Sequence, residues 1–409
     1  MTPQIKLTKN GSRIVIQNIP DSKILNVNVF IKSGWRHEKE EEKEYTHLLE
    51  HLLMAGSKKY PQEKDMADVL ESIGGKFNAQ TSMEYLTLNG ETLIENWERL
   101  LDLLFDKILN PNITQEAINK EQRVLEAEYN SQINNHIKWL ERNLIQQIFS
   151  NSALITPPYP NPYPLKEIEI DQIKLFYNQV VRPELITVIC VGNIKNDEIE
   201  RFIMNKLEKI VRPLTKTSIT SVPQAVPVNN LKLHNVKSES NDLPTDLRFS
   251  FVTIPSNHRL SFALDIISSY LGDGYQAKLF EELRLKNNLS YSYISRNIKL
   301  TDTGIYYFGL TTKYPREASE LVKNYFNSWL SNIDESRLEK LKIKIINQAM
   351  YNFYSSQKNI SFSYGFDLLI NGQLNTLDDY AKKIRNVTLN DIKSVLHLLS
   401  INKAYILST

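Results

Sequence analysis

The chain of 409 residues writes one order of elements twice, and that repetition constrains its fold more than any composition value. The stretch "ILNVNVFIKSG" (24–34) alternates like a half-buried strand, and "EYTHLLEHLLMAG" (44–56) carries helical periodicity. "PQEKDMADVLESIGG" (61–75) reads as a second helix, with proline at its first position and a glycine pair at its stop. Two strands, "KFNAQTS" and "EYLTLNG", precede helical sequence from about 93 to 150, a further helix "KEIEIDQIKLFYNQVV" and a closing strand "ELITVICVGN". After "RPLTKTSITSVPQAVPVNN" (212–230), a Pro/Ser/Thr/Val mixture that reads as a linker, the order returns. "LRFSFVTIP" is a strand, "LSFALDIISSYLGDG" and "AKLFEELRLKNN" are helices, "LSYSYISRNI" and "GIYYFGLTTK" a strand pair, and helices then lead to the strand "KAYILS".

A chain this long exceeds what one core serves. The expectation is an α+β protein of two homologous domains, 1–211 and 231–409, each a mostly antiparallel sheet with helices packed on one face.

The two copies differ at one place. Aligning Gly56 with Gly272 sets His47, Glu50 and His51 opposite Ala263, Ile266 and Ile267. The second copy therefore forms its helix with apolar residues, and two histidines and a glutamate are not needed to fold the first. Positions three and four apart share a helix face, so His47 and His51 point the same way with Glu50 beside them. Two neutral imidazoles so placed can reach one zinc ion at about 2.0–2.1 Å. A catalytic zinc keeps three protein ligands and one open position, where water becomes acidic enough to serve as a nucleophile near neutral pH. Glu50 is then the candidate general base.

The third ligand must come from elsewhere, and "INKEQRVLEAEYN" (118–130) is the best source. Glu121 and Glu128 stand two helical turns apart on nearly one stripe, and Glu126 is rotated away from it. Spacing alone leaves all three open.

Opposing charges nearly cancel, 49 Lys+Arg against 47 Asp+Glu, which gives no electrostatic case for nucleic acid or an anionic membrane. No stretch approaches the roughly 20 apolar residues that span a bilayer, and the first residues lack a basic segment followed by an apolar core; the expected location is the cytoplasm. Cys190, the single cysteine, lies in an apolar run and is expected to be core packing. His37, in "WRHEKEEEKE", is expected on a solvated charged face.

"HLLEH" is the inverted counterpart of the HExxH zinc site. With "SGWRHE" before it, "GGKFNAQTSMEYLTL" after it and "EQRVLEAE" further on, the chain resembles the M16 metallopeptidases (pitrilysin, insulinase, mitochondrial processing peptidase) over nearly its whole length, as a half-length member. The resemblance implies one Zn2+ per chain, held by His47, His51 and Glu128, the last standing 81 residues beyond the first histidine, with Glu121 as a supporting carboxylate. It implies that Asn78 and Ala79, in "GGKFNAQT", hold an extended peptide by main-chain pairing. It further implies that Arg284 and Tyr291, seven apart in "ELRLKNNLSYSY", contact the substrate near the scissile bond. Thr46, preceded by Tyr45, departs from the small residues of many relatives and is expected to alter packing at the start of the helix.

The resulting expectation is a zinc endopeptidase acting on short or unfolded peptides in an enclosed chamber, with a non-catalytic scaffold or binding subunit of the same fold as the alternative. Because one chain carries both the zinc cluster and the Arg/Tyr pair, a homodimer is expected rather than a heterodimer with a paralogue.

Overall fold

In the computed structural model the chain is described over residues 2–133, 135, 140–141, 143–145, 148–149, 167–194, 197–210, 234–235 and 244–408. The expected linker at 212–230 lies outside the described residues. Those described form two compact units. One takes those within Met1–Tyr129, Tyr159–Pro223 and Asn352–Thr376, the other those within Asn130–Pro158, Gln224–Tyr351 and Leu377–Thr409.

The first unit is built on six strands: β1 (Gln4–Leu7), β2 (Arg13–Asn18), β3 (Ile24–Ile31), β4 (Lys76–Thr81), β5 (Leu86–Leu93) and β6 (Ile186–Gly192), in the spatial order β1-β2-β6-β3-β5-β4. Only β2 and β6 run parallel. The second unit holds β7 (His234–Asn235), β8 (Thr245–Thr253), β9 (Ser292–Lys299), β10 (Gly304–Thr312) and β11 (Tyr405–Ser408), in the order β7-β11-β8-β10-β9, with β7 and β11 parallel. Strand for strand, β2-β6-β3-β5-β4 and β7-β11-β8-β10-β9 are one topology, so the duplication read in the sequence is present in the sheets.

Alternation along β3 shows how the first core forms. Leu25, Val27, Val29 and Ile31 point to one face, where they meet α1 (Tyr45–Ala55), α3 (Trp97–Leu109), α4 (Gln115–Ile133), α5 (Ile170–Val180) and α6 (Asp197–Leu207); α2 (Glu63–Ser72) flanks α3. The opposite face is not open to solvent. Phe30, Val15, Ile189 and Val191 pack there against Ile360, Tyr364, Leu368 and Leu369, from the helix Gln357–Phe366 and the π-helical segment Asp367–Asn371 that continues it. Two polar strand residues on this face are hydrogen-bonded by the same segment: Ser361 donates to Asn26 Oδ1 at 2.6 Å, and Tyr364 donates to Gln17 Oε1 at 3.0 Å. Strand β3 is accordingly buried along nearly its whole length rather than half-buried. The physical reason is that its second partner comes from more than 300 residues away, beyond the reach of local periodicity. A stretch belonging to the second half in sequence thus completes the first unit. Cys190 is fully buried, as expected of a core thiol, and burial pushes it well above the ordinary thiol range.

The second unit packs stacked aromatics under its sheet: Phe249 and Phe308 lie 4.9 Å apart and Phe308 and Phe326 4.7 Å apart between ring centres. The helix Ser261–Gly272 buries Ala263, Ile266 and Ile267 completely in this core, at the positions matched by His47, Glu50 and His51 in the first copy.

Candidate metal centre

Helix α1 is pinned to the sheet by Leu48, Leu49, Leu52 and Leu53, all buried, which turns the other side of the helix outward with His47, Glu50 and His51. Its start is held from a distance. Glu44 adopts φ 75°, a left-handed conformation, and the Glu38 carboxylate accepts the Glu44 N–H at 2.8 Å and the Thr46 N–H at 2.7 Å, satisfying donors that a helix start leaves open. Thr46 is fully buried at this cap. The helix ends at Gly56, where a Cβ would come within 2.4 Å of the Pro61 carbonyl oxygen, so the close chain return requires glycine.

His37 does not lie on the solvated face expected of it, although Lys39 and Glu41 of the same stretch are exposed. Arg36 is fully buried and paired to Glu84 at 2.6 Å, Glu38 is buried at the cap, and half-buried His37 accepts the Gly34 N–H on Nδ1 at 3.1 Å. Burial lowers the His37 imidazole to about 4, so the ring is neutral. Local charge density suggested exposure, whereas pairing with the turn between β4 and β5 makes burial tolerable.

Helix α4 brings the carboxylates. His47 Nε2 lies 3.7 Å from Glu128 Oε2, and His51 Nε2 lies 3.8 Å from Glu128 Oε1. One donor atom from each of His47, His51 and Glu128 falls within 4.8 Å of the others. Two donors on a tetrahedral ion at zinc distances stand about 3.4 Å apart, so a set spread over at most 4.8 Å would draw together by up to about 1.4 Å to grip one. The donor chemistry fits as well. Burial first, then the neighbouring His51, lowers His47 to about 3, which leaves it a neutral imidazole. The Nδ1 of His51 lies 3.2 Å from Glu121 Oε2, an arrangement that directs Nε2 toward Glu128. Burial depresses His51, but the Glu121 hydrogen bond and the charges of Glu128, Glu50 and Glu121 outweigh it and raise the ring above its ordinary value. Three carboxylates around two imidazoles make a site whose charge suits a divalent cation. Glu126, the remaining sequence candidate, is not part of the cluster.

Glu50 is half-buried beside these donors, and Thr81 Oγ1 donates to its Oε2 at 2.5 Å. Burial holds its carboxyl above the usual range, and the Thr81 hydrogen bond opposes that rise. Thr81 closes β4, an edge strand that pairs only with β5 among the described residues. Asn78 is exposed and Ala79 half-buried on this strand, aligned with Asn89 and Leu88 of β5. Among the described residues no strand pairs with the outer edge of β4. Thr81 was not among the residues the sequence pattern singled out; its place in "KFNAQTS", two positions on from Ala79 and so on the same strand face, is the signal that could have found it.

Arg284 and Tyr291 belong to the second unit, and the structure brings them together. The Arg284 guanidinium carbon lies 5.0 Å from the Tyr291 ring centre and 5.2 Å from that of Phe280. Arg284 sits in a π-helical segment, Phe280–Lys286, and Tyr291 is 77% exposed just ahead of β9, so the tyrosine is not a core residue.

Residues 13–158, which contain the whole His/Glu cluster, match the family described as Insulinase (Peptidase family M16), and residues 167–345, which contain Arg284 and Tyr291, match Peptidase M16 inactive domain. The chain is 23% identical over 396 residues to the Uncharacterized zinc protease YmxG of Bacillus subtilis, covering 96% of this chain and 94% of that one. It is 21% identical over 428 residues to the Mitochondrial-processing peptidase subunit beta of Dictyostelium discoideum, covering 98% and 88%. Among solved structures, a protease from Helicobacter pylori superposes with a TM-score of 0.88 at 19% identity, over 100% of this chain and 99% of that one. Among the described residues no helix is long and apolar enough to cross a membrane. With both M16 domain types in order and the fold shared along its length, the chain belongs to the insulinase (M16) peptidase family.

Proposed function

We propose that the protein is a zinc-dependent endopeptidase for short or unfolded peptides. The observation that carries this reading is the convergence of His47, His51 and Glu128 donors within 4.8 Å, with Glu50 alongside. Relatives named zinc proteases, matched over most of their length, support it. One Zn2+ per chain, held by those three residues, would supply Lewis acidity toward a peptide carbonyl and acidify a water.

The remaining work falls to the chain's own groups. Glu50 takes the proton of the attacking water and passes it to the leaving nitrogen. Glu121 holds the His51 ring through Nδ1. The open edge of β4 at Asn78 and Ala79 pairs with the peptide backbone, which gives affinity with little side-chain demand and requires an extended substrate. By family resemblance, Arg284 and Tyr291 offset charge on the carbonyl oxygen as the carbon becomes tetrahedral. Because both motifs lie on one chain, the proposed assembly is a homodimer; sedimentation showing a fully active monomer would contradict it.

The direct test is Glu50→Gln. It should retain zinc while abolishing cleavage of a peptide library read by mass spectrometry, and undiminished cleavage would remove Glu50 as the base.

A further inference from the structure

We propose that Thr81 is a positioning residue for Glu50, tying the base to the strand on which substrate is held. This inference rests on the peptidase reading above and extends it to a residue outside the metal cluster.

The geometry is specific. Strand β4 alternates exposed and half-buried residues, with Phe77, Ala79 and Thr81 on the inward side. At its last position the strand presents the Thr81 hydroxyl to Glu50, where Oγ1 donates to Oε2. A hydrogen bond to a charged acceptor is among the stronger kinds, and this one fixes the carboxylate torsion, which is otherwise broad. With Oε2 engaged, the carboxylate keeps Oε1 for proton transfer. The same residue closes the hydrogen-bonded ladder, its Cα aligned with Leu86 of β5, so the hydroxyl is carried by sheet rather than by loop. Three residues back lies Asn78, on the exposed side of the strand proposed to receive the peptide. A peptide that pairs with β4 therefore orders the strand that aims the base.

Valine matches threonine in shape and suits a strand, so Thr81→Val deletes the hydroxyl with little other change. For the zinc-loaded protein acting on a cleaved peptide, Thr81→Val should lower kcat by about tenfold to a hundredfold, the loss of one charge-assisted hydrogen bond, with KM within about twofold of the parent. Thr81→Ser, which restores the hydroxyl, should recover most of kcat. Coupling of Thr81 to Glu50 is read without activity: in the metal-free protein, urea unfolding of Thr81→Val, Glu50→Ala and the double variant should be non-additive. Overturning results are a Thr81→Val enzyme with parental kcat, a serine variant no better than valine, or additive unfolding shifts. A parent protein with no chelator-sensitive cleavage would instead refute the peptidase reading, and the unfolding cycle would still decide the coupling of Thr81 to Glu50.

Discussion

Glu121 meets His51 at Nδ1, 3.2 Å away, while the opposite ring nitrogen faces Glu128. One imidazole thus lies between two carboxylates two helical turns apart on α4, the first proposed to fix its orientation and the second to complete the zinc site.

If Glu121 orients the ring rather than binding the ion, Glu121→Ala should weaken zinc affinity about 10- to 100-fold without abolishing it. A competition titration with a zinc chelator measures this. Unchanged affinity would remove Glu121 from the site, and complete loss would make it a ligand.

Glu38 gives a pH signature. Burial, against the hydrogen bonds from Thr46 and Glu44, raises its carboxyl from an ordinary 4.5 to about 7. The folded-state value lies above the unfolded one, so the native chain holds the extra proton between them; the stabilising contribution is complete below about 4.5 and is lost as pH rises through about 7. Unfolding free energy should fall by on the order of 3 kcal/mol across that window, and Glu38→Gln should flatten the slope. Urea melts at stepped pH values check this. A parent and variant with identical slopes would contradict it.

Much of this protein is legible from local pattern. Period-two strands, the helix carrying His47 and His51, and the matched order of the two halves all depend on residues near one another in sequence. What local pattern misses depends on distant partners. Asn26 and Gln17 look like solvent-facing strand residues until Ser361 and Tyr364 arrive to satisfy them. The charged run around Arg36 and Glu38 looks solvated because nothing nearby reveals that Glu84 and the start of α1 will neutralise it. Glu128 lies between these cases: its spacing from Glu121 is local, but only family resemblance separates it from Glu121 and Glu126 before α4 is seen beside α1.

The helix that closes the second face of the first sheet gives a packing test. A Cβ on Gly365 would come within 1.9 Å of Phe30 Cε2, at a ring that is fully buried. Gly365→Ala should destabilise the protein by about 1–3 kcal/mol through overpacking. Combined with Phe30→Leu, the total cost should be less than the sum of the two, because the smaller side chain makes room. Additive losses in urea unfolding would show that the contact does not constrain this helix.

The central claim is that two imidazoles of α1 and one carboxylate of α4 grip a single zinc ion. Zinc counted per chain after extensive dialysis, in the parent and in His47→Ala, His51→Ala and Glu128→Ala, tests it most directly. The expected result is one ion per parent chain and none in each variant; a parent that holds no zinc, or a Glu128→Ala protein that holds it as tightly as the parent, would contradict it.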